Sequence, residues 1–326
     1  MNLLFIFTGG TIGSTSDGEH ICLDEDKPRG IIESYRHRFE MPFEYDTRVS
    51  HMELSENSGG EFISSTIASV CAGAAEGYDG IVVTHGTDTL SWTASALGYA
   101  LGNSSVPVVI VSAAYPIEDP RSNAIENLNE AIKFITGTPR DKARGVWVSY
   151  KNSGEGALIY RATRLLRQHP FGDRVEAVGH GVFGELRELP DAIGPFGGDI
   201  RLKDNHSIVV IDPRPGYSYP VLPEGTSYII QNTYHSGTFR TKGADVDNFY
   251  GQARLLGVPI FITGIYPGET YESTVAFKRF GALPLPEMSP VAAYMKLWML
   301  STVTGDRGRV KREMMMSLGG DIVPGE

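Results

Sequence analysis

The chain has 326 residues and carries 29 Lys+Arg against 39 Asp+Glu, a formal net charge of −10. That length suits two domains or one large one, and 41% apolar with 21% charged residues excludes collagen-like, low-complexity and wholly disordered chains. So acidic a chain lacks the basic field that draws in phosphate backbones, and no nucleic-acid partner is expected.

In chain order, Leu3–Phe7 is a short apolar run with no basic leader, and it reads as a first strand rather than a signal peptide. Continuous runs bounded by Gly, Pro or polar residues recur at 80–84, 107–112 and 146–150, then at 207–211, 227–230 and 259–263. Their length and continuity predict strands buried on both faces of a parallel sheet. Helix-period segments lie between them. Ile63, Ile67, Val70 and Ala74 form one apolar stripe, Leu90, Ala94 and Leu97 a second, and Ile125, Leu128, Ile132 and Ile135 a third. Ser289-Pro290 reads as a helix N-cap with proline in the first turn, opening a helix that carries Val291, Met295 and Trp298. A further short helix is expected from Lys311. Strands alternating with helices predict an α/β fold. The stretch from about Leu186 to Asn205 is rich in Gly and Pro and has little periodicity. It divides the chain into a larger N-terminal parallel-sheet domain, 1–190, a linker, 191–205, and a smaller C-terminal α/β domain, 206–326.

Two cysteines, Cys22 and Cys71, make neither a disulfide framework nor a multi-Cys zinc site, and reduced thiols in a cytoplasmic protein are expected. The histidines show no metal-ligand spacing, so neither metal nor other cofactor is expected. The greasiest segment, 291–303, is interrupted by Lys296 and falls short of the ~20 apolar residues of a membrane span. Trp92, Trp147 and Trp298 sit in periodic segments and read as core.

Two segments carry chemistry. Thr8-Gly9-Gly10-Thr11-Ile12-Gly13 follows the first strand, and Thr84-His85-Gly86-Thr87-Asp88-Thr89 follows a later one. Strand carboxyl ends are where open α/β sheets bind ligands. The first run is not a dinucleotide fingerprint, because Thr8 occupies the first glycine's place, and no P-loop lysine follows. A threonine hydroxyl becomes a nucleophile once a base takes its proton. Two threonines and a carboxylate at one cleft suit attack on an amide carbon, with Gly9, Gly10 and Gly86 able to offer N–H groups to an oxyanion. His85, beside a glycine at a strand end, reads as structural more readily than as that base.

On these residues the sequence resembles the bacterial L-asparaginase family. The first run resembles the family's first signature, which implies Thr11 as nucleophile. His85-Gly86-Thr87-Asp88-Thr89 resembles the second, which implies Thr87 and Asp88 as catalytic and substrate-binding. Leu54-Ser55-Glu56-Asn57 resembles the segment that holds the substrate's α-carboxylate, implying Ser55 there and Glu56 near the α-amino group. Gly10 and Gly86 complete the substrate-binding set. Glu118–Asn123, Asp212–Gly216, Tyr234–Thr238 and Glu287–Pro290 are similar to further family segments. The resemblance implies a cytoplasmic homodimer or homotetramer acting on a small amino-acid substrate, without nucleic acid or membrane. Two positions depart from the family. His20 stands where a loop tyrosine is expected, and Arg167 stands where a lysine is expected. An arginine effectively never gives up its proton, so Arg167 is expected to pair with Asp88 and not to act as a base. His20 titrates near neutrality and is the base candidate. The alternatives are a non-catalytic relative that binds an acidic or amide amino acid, and an amidase for another amide, where Glu56 and His235 would bear on selectivity. Membership of an amidotransferase acting on transfer RNA fits the acidic balance poorly.

Overall fold

The computed structural model describes the chain except residues 11, 13, 17–20, 24–27, 103, 190, 193, 195, 205–206, 266–270 and 326, and gives the backbone alone at 14–16, 21–23 and 28–29. The first half runs β1 (Asn2–Gly9), a small hairpin of β2 (Ser14–Ser16) and β3 (Ile21–Leu23), α1 (Pro28–Arg36), β4 (Glu44–Glu53), α2 (Gly60–Ala75), β5 (Gly80–Thr84), α3 (Leu90–Leu101), β6 (Val108–Val111), α4 (Ala124–Gly137), β7 (Val146–Lys151) and β8 (Ala157–Arg161). The second half runs β9 (Ile208–Ile211), β10 (Tyr228–Gln231), α5 (Ala244–Leu255), β11 (Ile260–Ile262), α6 (Glu272–Phe280), β12 (Leu283–Pro284), α7 (Pro290–Val303) and α8 (Arg307–Met314).

Two sheets result. The larger has the order β4-β1-β5-β6-β7-β8 and the smaller β12-β11-β10-β9. The smaller is parallel throughout. In the larger, β1 pairs in parallel with both β4 and β5, and β5 through β7 continue in parallel, while β8 returns antiparallel to β7. The larger sheet is therefore parallel, as expected, except at the β8 edge. The all-apolar runs form the central strands, with Gly80–Thr84 and Val108–Val111 buried at every position, because a strand covered on both faces has no polar side to show. The edge strand β4 carries no such run. Its sequence, EYDTRVSHME, is exposed or half-buried throughout.

The predicted α2, α3, α4 and α7 all form, and Ser289 caps α7 by accepting from the Ala292 N–H. The tail helix begins at Arg307, not Lys311, because the Asp306 carboxylate accepts from the N–H groups of Gly308 and Arg309 and sets the start there. Helix α7 does not stay with the second sheet. Its Ala292, Met295 and Leu297 share one core with Ala94 and Leu97 of α3 and Val83 of β5. Beyond α8 the chain runs back under the first sheet, where Arg164 donates to the carbonyls of Gly320 at 2.6 Å and Ile322 at 2.9 Å. Among the described residues no helix is long and apolar enough to cross a membrane.

Candidate active site

The two threonine motifs meet at the carboxyl ends of the neighbouring strands β1 and β5. Thr8 Oγ1 donates to the Thr84 carbonyl at 2.6 Å and ties the strand ends together. Gly10 has φ +78°, and a Cβ there would run into the backbone nitrogen of Gly86. A side chain on Gly86 would in turn strike Ser55 Oγ. Glycine is needed at both places because the backbones touch, and at Gly10 also because φ is positive. Three segments far apart in sequence thus close on one corner: Gly9–Gly10, Ser55 and Gly86.

Ser55 opens a short 3-10 turn between β4 and α2 and is 4% exposed. Its Oγ donates to the Asp88 carboxylate at 3.2 Å, and its carbonyl accepts from Thr89 Oγ1 at 2.9 Å. The predicted grouping of Ser55, Gly10, Gly86 and Asp88 is brought together. Thr87 is half-buried in the same turn, whereas Asp88 and Glu56 are exposed. Thr11 and His20 lie outside the described residues.

His85 is fully buried. Its Nδ1 lies 2.7 Å from the Gly86 carbonyl, which only accepts, so Nδ1 carries a hydrogen. Burial lowers its pKa to about 4, against the smaller upward pull of that hydrogen bond. Its Nε2 has no partner among the described residues. A ring so placed steadies the Gly86 peptide and is shielded from solvent, as expected for a structural histidine.

Arg167 does not pair with Asp88 among the described residues. Its guanidinium lies instead 5.9 Å from the centroid of the Trp92 ring, on the wall of a cleft of about 660 Å³ shared with Thr89. The reason is local. Three residues earlier Arg164 turns inward from the Ala162–Arg164 turn and is wholly buried, spending its donors on the carbonyls of Gly179, Arg187, Gly320 and Ile322. The chain then straightens and leaves Arg167 exposed at the cleft. Trp147 and Trp298 are buried in the core as expected, although Trp298 also borders this cleft, while Trp92 is only half-buried on its wall. Periodicity gives the face of a helix that turns inward, not whether a neighbouring element covers it fully. Sequence reasoning missed the cleft because its walls come from α2, α3, α7 and the ends of β9 and β10. Among the described residues no cluster of His, Cys, Asp and Glu is placed to hold a metal ion.

The model of the asparaginase N-terminal family matches residues 2–192. The chain belongs to the asparaginase family. It is 27% identical to the L-asparaginase of Thermococcus kodakarensis over 347 aligned positions that take in 99% of both chains. The solved structure of the thermostable L-asparaginase from the same organism superposes with a TM-score of 0.79 at 25% identity, covering both chains completely. One subunit of the glutamyl-tRNA(Gln) amidotransferase of Pyrococcus horikoshii is 25% identical over 276 positions, which span 76% of this chain and 60% of that protein. The fold also matches a probable cytoplasmic L-asparaginase from Campylobacter jejuni, with a TM-score of 0.74 at 17% identity over 97% of this chain. The other segments that resemble the family also sit where ligands are met in such folds: Glu118–Asn123 after β6, Asp212–Gly216 after β9, and Tyr234–Thr238 after β10.

Proposed function

We propose that this protein is an amidohydrolase that converts the side-chain amide of asparagine, or of a related compound, to a carboxylate and ammonia. The observation that carries the reading is the corner at which Gly10, Ser55 and Gly86 touch, with Asp88 hydrogen-bonded to Ser55. In this reading Thr11 attacks the amide carbon, and His20 takes its proton and returns it to the leaving ammonia. The N–H groups of Gly10 and Gly86 hold the oxyanion. Ser55 receives the α-carboxylate, Glu56 and Asp88 face the α-amino group, and Thr87 and Asp88 assist hydrolysis of the acyl-enzyme. Arg167 keeps its charge and serves binding, because an arginine does not cycle a proton at neutral pH.

Family membership and the full-length likeness to an L-asparaginase support this reading. The division into 1–190 and 206–326, joined by 191–205, belongs to the same proposal and is supported by the two sheets lying on either side of that stretch. A homodimer or homotetramer in the cytoplasm follows from the family resemblance, and the cytoplasmic neighbour supports the location alone. Ammonia release from asparagine by the purified protein, lost in Thr11→Ala with asparagine still binding by calorimetry, is the expected result. Binding of asparagine by the unaltered protein with no ammonia released overturns the reading in favour of a sensor.

A further inference from the structure

The cleft beside the candidate site has a distinct chemistry. It has a volume of about 660 Å³ and includes Thr89, Ser58 and Gly59 on the side of the amide-binding corner. Its far walls are apolar, built from Trp92, Val210, Val291, Tyr294 and Trp298. A pocket of this size, apolar with a few convergent polar groups, is the usual form of a small-molecule site. The cleft holds one cation, Arg167, which has no carboxylate partner among the described residues. Two carboxylates also line it, and both are engaged. Asp204 accepts from the Gly60 N–H at 2.8 Å, and Asp212 accepts from the Asn232 amide at 2.6 Å. What the cleft lacks is an anion for Arg167 and an apolar body for the space between the indoles.

The cleft and the corner share a wall. Asp88 faces Ser55, and the next residue, Thr89, faces the cleft, so the two are separated by about one residue of chain, ~3.8 Å between α-carbons. A substrate whose α-carboxyl group sits at Ser55 reaches the cleft when that group is extended by a single amino acid. The added residue then sets its side chain between the indoles and its own carboxylate toward Arg167.

We propose that the cleft is a subsite for an extended substrate, an asparaginyl dipeptide with an apolar or aromatic C-terminal residue and a free carboxylate. This rests on the amidohydrolase reading above. The reaction is unchanged: water supplies an oxygen to the side-chain amide carbon, its C–N bond breaks, and the products are the aspartyl dipeptide and ammonia, with the peptide bond left intact.

The test uses asparagine, asparaginyl-phenylalanine and the latter's C-terminal amide on the full-length protein, with ammonia release and quenching of indole emission as readouts. Asparaginyl-phenylalanine is expected to quench saturably, and to show a KM at least tenfold below that of its C-terminal amide. Val210→Trp fills the cleft from a strand position that is 40% exposed. It is expected to lower the preference for the dipeptide over asparagine, measured as the ratio of kcat/KM, at least tenfold, while Val210→Ala keeps it. Ammonia from asparagine alone, with neither quenching nor turnover of the dipeptide, overturns the subsite and leaves the amidohydrolase reading standing. Equal KM for the acid and amide forms, or a ratio unmoved by Val210→Trp, also overturns it. Saturable quenching by the dipeptide with no ammonia from any of the three supports the cleft as its site and overturns the amide chemistry.

Discussion

His85 is wholly enclosed beside the site, and its burial has a measurable consequence. Unfolded, its imidazole takes up a proton near pH 6.5; folded, it resists protonation until about pH 4. Between those values the unfolded state binds more protons, so stability is full above about pH 6.5 and falls as the pH drops toward 4, by about 3 kcal/mol in all. Urea unfolding is expected to show about 2 kcal/mol of this loss between pH 7 and pH 5, and His85→Asn, which keeps a donor toward the Gly86 carbonyl, is expected to flatten it. An equal loss in the variant would show that other groups carry the acid sensitivity. At this scale the sequence is a fair guide where backbone chemistry decides and a poor one where side-chain direction does. Gly10 and Gly86 are legible because only glycine lets two strand ends touch. The Ser55–Asp88 hydrogen bond joins residues 33 apart and leaves no local trace. Arg164 and Arg167 are the same residue type three positions apart, and one is wholly interior while the other faces a cleft, a difference set by carbonyls at the far end of the chain.

Caps and buried runs were the most readable features among the elements. Ser289 announces α7 by its proline neighbour, and the structure adds that its hydroxyl donates to the Leu165 carbonyl at 2.6 Å in a fully buried setting. One hydroxyl therefore starts a helix and fastens it to the turn that carries Arg164. Ser289→Ala is expected to cost about 2–3 kcal/mol, the cap together with an orphaned buried carbonyl. Asp306→Ala, which removes an exposed cap from α8, is expected to cost about 1 kcal/mol. Denaturant titration of the two variants checks the ordering, and equal losses would mean that the Leu165 contact contributes nothing. Three of the strands that sequence reasoning missed are sheet edges. Strand β4 is a polar edge, β8 turns back antiparallel after only a few residues, and β12 is two residues long. Strand β4 has no continuous apolar run and β12 is too short to show one, whereas the missed β8 does carry a short run, 157–160, whose Ile159 and Tyr160 are buried in different cores.

Across the whole molecule, the two sheets were legible from alternating strands and helices, but the manner of their joining was not. The joint is a largely apolar core with a buried polar group inside it. Lys296 of α7 and Asp321 of the tail form an ion pair at 2.8 Å with both side chains at 0% exposure, and Tyr99 of α3 donates to the same carboxylate at 3.0 Å. Lys296→Met leaves that carboxylate uncompensated in the interior and is expected to cost about 3–5 kcal/mol, while Lys296→Met/Asp321→Leu recovers most of the loss. A double variant as unstable as the single one would show that the carboxylate itself, through Tyr99, is the needed partner. Arg164 adds a link of the same kind, since its acceptors on Gly320 and Ile322 lie more than 150 residues downstream. A chain made from its N-terminus completes every strand of the larger sheet well before those acceptors leave the ribosome. Until then a guanidinium meant for the interior has no carbonyls to meet, and the α3 face awaiting α7 stays bare. The N-terminal half therefore completes its packing only once α7 and the segment holding Gly320 and Ile322 have been made.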